Sequence, residues 1–153
     1  MKQIKFLTLM LVGLTFISLS SCSNDGDGNQ DARDKYVGSW NSISSGSLTL
    51  FQNGQSIGTV PINETNTVSI SKSGNNALLI NGTTYTVNGT NLSSNPQPLT
   101  ETSNGVNIVG TTVSNGTLGS NIIILNGAVT GTWNETTGGS GNLSGSVIST
   151  LTR

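Results

Sequence analysis

Six Asn-Gly dipeptides punctuate the chain: Asn53-Gly54, Asn81-Gly82, Asn88-Gly89, Asn104-Gly105, Asn115-Gly116 and Asn126-Gly127. Asn and Gly both tolerate positive φ, which a type I′ turn demands at both central positions. The dipeptide is therefore the strongest short-range signal for a β-hairpin. Strand-length runs of apolar and Thr/Ser residues surround these pairs, at 46–51, 56–62, 67–71, 77–80, 83–87, 106–113, 122–125, 128–134 and 142–152. The pattern predicts an antiparallel meander with hairpins at several of the pairs. No run keeps a helical period. Leu143, Val147 and Leu151 recur every fourth residue, yet they also share one strand face, with Ser144, Ser146 and Thr150 opposite. Gly145, Ser149 and the β-branched neighbours favour the strand. Tyr85 and Val87 fall together on one face of an alternating run. Residues 122–125 are apolar on both faces, which predicts a covered central strand. Residues 88–103 contain Pro96 and Pro98, which cannot donate to a ladder, and predict a long loop or an irregular edge.

About nine strands must hide their edges, by closing into an up-and-down β-barrel or by folding into the two sheets of a β-sandwich. Closure is the expectation, because the charges that would guard an open edge are scarce. Asp, Glu, Lys and Arg make up 8% of the 153 residues, against roughly 25% in average soluble proteins. Beyond Lys35 they are Glu64, Lys72, Glu101, Glu135 and Arg153 alone.

That scarcity excludes several functions. Nucleic acid requires a Lys/Arg patch for counterion release, and none exists. Histidine is absent, which removes Ser-His-Asp and Cys-His hydrolysis. Zinc draws on Cys, His and carboxylates, and the stretch from residue 36 onward offers only Glu64, Glu101 and Glu135. Two of these could formally serve a glycosidase. Their Asn/Thr-rich surroundings instead predict solvated loop carboxylates. Gly138-Gly139-Ser140-Gly141 lacks the Lys and the strand-helix context of a phosphate loop and predicts a flexible hairpin. The expectation is a non-enzymatic domain with no cofactor and no metal.

The amino terminus reads differently. Lys2 and Lys5 precede an apolar run at 6–19, too short for a membrane span and suited to a signal-peptide core. The next residues, Leu19-Ser20-Ser21-Cys22, resemble the lipobox of bacterial lipoproteins. The resemblance implies cleavage before Cys22, lipid on its thiol, and membrane anchoring through that lipid. Cys22 is also the only cysteine. The chain thus divides into a signal peptide at 1–21, the lipidated Cys22 with a tether at 22–35, and a β domain at 36–153. Asp25-Gly26-Asp27-Gly28 lacks the later acidic partners of a calcium loop. It loosely resembles the acidic export signal of surface lipoproteins in Bacteroidetes-type bacteria.

Tyr36-Val37-Gly38-Ser39-Trp40 resembles the opening of lipocalin-type barrels, in particular the small lipocalin-like lipoproteins of Bacteroidetes-type bacteria. The resemblance implies an outer-membrane location, on the periplasmic or the surface face, and a domain that binds a small apolar ligand or serves as an envelope structural component. In that family the Trp of Gly-X-Trp closes one barrel end and a later Arg packs on it. Here the sole late arginine is Arg153, at the very end, and the expectation is that the usual partner is missing. Gly38-Ser39-Trp40-Asn41 is echoed by Gly131-Thr132-Trp133-Asn134. First and last strands of a barrel meet, so the two indoles are expected to pack together at that seam. Alternatively Trp40, Tyr85 and Trp133 are aromatic contacts for a ligand or a glycan, the latter in an adhesive or carbohydrate-contacting sandwich.

Overall fold

The structure, a computed structural model, describes residues 31–103 and 105–153. The signal segment 1–21 and Cys22 lie outside the described residues. After a single 3-10 turn at Asp34–Tyr36 come nine strands: β1 (Gly38–Gln52), β2 (Gln55–Ser73), β3 (Ala77–Ile80), β4 (Thr83–Asn88), β5 (Asn91–Ser94), β6 (Gln97–Ser103), β7 (Val106–Leu118), β8 (Ile122–Glu135) and β9 (Ser140–Thr152). All pairings are antiparallel within one sheet, and its hydrogen bonding runs round a ring through β1–β9 and β5–β7.

Several expected strands merge into longer ones. Residues 56–62 and 67–71 belong to the single strand β2, and 122–125 and 128–134 to β8. Asn53-Gly54 and Asn81-Gly82 form the expected turns, with positive φ at all four residues. The turn after β4 falls one residue late, at Gly89-Thr90. Gly105, with φ 79°, sits in the connection from β6 to β7. Asn115-Gly116 and Asn126-Gly127 are not turns: they lie inside β7 and β8, where Asn115 pairs with Asn126. A Cβ on Gly116 would run into the Ile124 carbonyl, so close approach of the two strands requires that glycine. Gly110 and Gly131 likewise face each other, and a Cβ on either would strike the opposite strand's backbone. Such side-chain-free positions allow a sheet to curl sharply.

The segment 88–103, expected as a long loop or an irregular edge, contributes β5 and the edge strand β6. They line up along the same edge of β7, interrupted at Asn95-Pro96. Pro98 fits because β6 is paired only to β7, and a proline is tolerated where the outer edge carries no ladder. Opposite, β2 pairs with β3 only from Ile70 to Ser73. The rest of that edge is unpaired and carries Pro61. The ring is therefore complete at the end holding β3, β4 and β5, and parted between β2 and β6 at the other.

Alternate residues point inward and build two apolar clusters. At the complete end Tyr36, Trp40, Val68, Ile70, Leu78, Ile80, Tyr85, Leu92, Leu118, Ile123, Leu125 and Leu151 pack together. Full burial of side chains such as Leu78 and Ile123 is worth about 1.5–3 kcal/mol each. At the parted end the cluster is Leu48, Leu50, Val129, Trp133 and Leu143. Between them lies a waist of small and polar inward residues. Ser42 is buried, and the Ser44 and Ser149 hydroxyls meet at 2.7 Å. Residues 122–125 are covered on one face only: Ile123 and Leu125 are buried, while Ile122 and Ile124 are 39% and 36% exposed.

Candidate ligand-binding site

The complete end is plugged. Trp40 is 1% exposed, and its indole N–H donates to the Tyr36 carbonyl at 2.8 Å. The Tyr36 ring lies 6.5 Å from the Trp40 ring, centroid to centroid. The expectation of a missing arginine is overturned here: the Arg153 guanidinium lies 5.1 Å from the centroid of the Trp40 ring. It also donates to the Lys35 carbonyl at 3.0 Å and to the Val37 carbonyl. The end of β9 lies beside the start of β1, because Asn41 pairs with Thr152. That pairing delivers the last side chain to the first tryptophan. Gly38 provides the room: its φ is +127°, and a Cβ there would sit 2.6 Å from Arg153 Nη2. The sequence signal was present in Gly38-Ser39-Trp40 and one late arginine, but only the register joins them.

The two tryptophans do not pack together as the seam expectation had it. Trp133 lies on β8 rather than on the closing strand, and it belongs to the other cluster. It is 4% exposed and donates its indole N–H to the Phe51 carbonyl at 3.2 Å. Tyr85 is a core residue of the plugged end. Burial pushes its phenol pKa up, and the Ser114 side chain opposes that shift. Of the three aromatic candidates, only Trp133 lies in the cluster at the parted end.

That parted end is the candidate site. Val60 and Ile62 on β2 face Leu99 on β6 with Val106 and Ile108 on β7, all half-buried around the Leu48–Trp133 cluster. The three glutamates are not in loops: Glu64 lies within β2, Glu101 within β6, and Glu135 ends β8. The alternation of each strand places them on the inward side, two positions from Ile62, Leu99 and Trp133 respectively. The result is a half-buried apolar patch with partly exposed carboxylates at its margin. Among the described residues no group of three or more Asp, Glu, Cys or His side chains is placed to hold a metal ion. A separate depression of about 260 Å³ is lined by Asp31, Ala32, Asp34 and Lys35, where the chain enters the domain.

The outer face differs. One continuous row of hydroxyls, Thr59–Thr49–Ser144–Thr130–Thr111, crosses five neighbouring strands from β2 to β7. Comparison with protein-family models, with curated proteins and with solved structures returns no match.

Proposed function

We propose that this chain is a lipid-anchored envelope protein of the outer membrane, whose β domain is a lipocalin-like barrel that binds a small apolar ligand at its parted end. The observation that carries the reading is the asymmetry of the two ends. One is stoppered by Trp40 and Arg153; the other leaves Val60, Ile62, Leu99, Val106 and Ile108 half-buried around the Leu48–Trp133 cluster, where the ligand slot would open between β2 and β6. Apolar, concave and bordered by a few polar groups is the usual character of small-molecule sites. Binding rather than catalysis follows from the chain's chemistry. It has no histidine and one cysteine, which the lipid would occupy, and so lacks the common proton-transfer groups.

The anchor is tested by acyl labelling in cells: Cys22→Ala should abolish the label and leave precursor or released protein. The ligand is tested by tryptophan fluorescence during titration with fatty acids, haem-like compounds and oligosaccharides. A response that persists in Trp40→Phe and disappears in Trp133→Phe supports the slot. The reverse dependence refutes it, and silence towards every compound points to a structural envelope role instead.

One observation favours a second reading, carbohydrate contact. The exposed hydroxyl row offers evenly spaced donors and acceptors about 4.8 Å apart. Oligosaccharide binding that is lost in Thr130→Val but retained in Trp133→Phe would select it.

A further inference from the structure

Basic charge in the described residues is sorted along the barrel axis, partly offset by Asp31 and Asp34 at the same end. Arg33, Lys35, Lys72 and Arg153 are the only basic side chains there, and all four gather at the plugged end. Arg33 pairs with Asp31 and donates to the Gly74 and Ala77 carbonyls at the β2–β3 turn. Lys72 pairs with Asp31 and Asp34. Lys35 lies 4.9 Å from the centroid of the Tyr36 ring, and Arg153 covers Trp40. Lys35 and Arg153 have no Asp or Glu side-chain partner among the described residues. All three glutamates lie away from this end, at the waist and the slot. The plugged end also shows Val37 and Ile122, 37% and 39% exposed.

The chain enters the domain at this same end. Residues 31–36, which composition assigns partly to the tether, are clamped there through Arg33. Resting on the lipoprotein reading, eight residues lie between Cys22 and Asp31, so the two are at most roughly 30 Å apart. We propose that the plugged end is a docking surface for the anionic headgroups of the leaflet that holds the anchor. Lys35 and Arg153 lie at the headgroup phosphates, Val37 and Ile122 dip into the interface, and the slot faces away from the bilayer. The anchor supplies the membrane; the sorted charge and the exposed apolar tips supply the orientation. Each basic side chain near an anionic surface raises partitioning about fivefold, and salt weakens the effect as the Debye length shrinks.

The test uses the acylated full-length protein in vesicles of phosphatidylglycerol or of phosphatidylcholine, followed by hydrogen exchange. In phosphatidylglycerol, amides of 31–37 and 119–124 should exchange severalfold more slowly than in phosphatidylcholine, and those of 53–56 and 136–140 should not change. Lys35→Glu should remove most of that protection, while Gln55→Lys at the far end should leave it intact. Equal exchange in both lipids, or protection at the far end, overturns the docking surface while the anchor stands. Protein that carries no lipid on Cys22 and fails to float with vesicles overturns the anchor, and the orientation with it.

Discussion

Replacing Gly38 with alanine tests the link between the first strand and the last residue. The backbone at this position holds φ near +127°, a region that costs an L side chain about 1–3 kcal/mol. The new Cβ would also sit 2.6 Å from Arg153 Nη2, so the guanidinium must leave. Its departure removes a cation–π contact worth about 0.5–1 kcal/mol at an exposed site. It also removes hydrogen bonds to the Lys35 and Val37 carbonyls, each worth about 0.5–1.5 kcal/mol net and less where solvent competes. Gly38→Ala should therefore cost about 3 kcal/mol and Arg153→Ala about 1–2 kcal/mol. The two changes share one interaction, so the double variant should fall short of their sum by about 1 kcal/mol. Urea unfolding measures this directly. With a slope of about 1–3 kcal/mol per molar for small domains, Gly38→Ala should lower the midpoint by roughly 1–3 M. A midpoint shift below about 0.3 M would refute the strain argument. Strict additivity would refute the placement of Arg153 over Trp40.

The inward and outward faces should respond oppositely to truncation. Ile123→Ala, at a position with no exposure, should cost about 2–5 kcal/mol. Ile148→Thr, 49% exposed, should change stability by less than about 0.5 kcal/mol by the same denaturation assay. Gly131→Ala should destabilise by more than about 2 kcal/mol through collision with the Val109 carbonyl, and a wild-type melting curve would count against the sharp curl. Arg33 holds the Asp31 carboxyl well below its ordinary value of 3.8, so the stabilisation is present above that pH and is lost as pH falls through the depressed range. The protection of amides 31–37 relative to their intrinsic exchange rates should accordingly fall as pH drops below about 4, and Asp31→Asn should show the lower protection at every pH.

The strand class and the direction of pairing were legible because they rest on local chemistry. Asn53-Gly54 and Asn81-Gly82 needed nothing but their own φ preferences. Asn115-Gly116 and Asn126-Gly127 carried the same local signal, yet their glycines serve a contact between strands, which no short window contains. Pro96 and Pro98 read as breakers, because an edge strand looks like a loop until its one partner is known. Residues 122–125 suggested a strand covered on both faces, whereas Ile122 and Ile124 stay partly exposed. The apolar patch at the parted end was the least legible feature. It depends on where the unpaired edges of β2 and β6 fall, and Glu64 and Glu101 are brought towards it by strands that do not pair with each other. The order of Arg153 and Trp40 along the chain concealed their contact for the same reason.

The pairing of β1 with β9 has a consequence for the time course of folding. Every other strand pairs with a neighbour close in sequence, apart from the short β5–β7 contact, and such hairpins form in about 1–10 μs. Asn41 with Thr152 is the longest loop the fold must close, and long-range pairing is entropically slow. A chain delivered N-terminus first thus holds β1 with one bare edge, and Trp40 uncovered, until β9 and Arg153 arrive. Arg153 acts as a latch that cannot fall before β9 has been made, and throughout that interval the half-built sheet keeps a bare edge open to pairing with other chains.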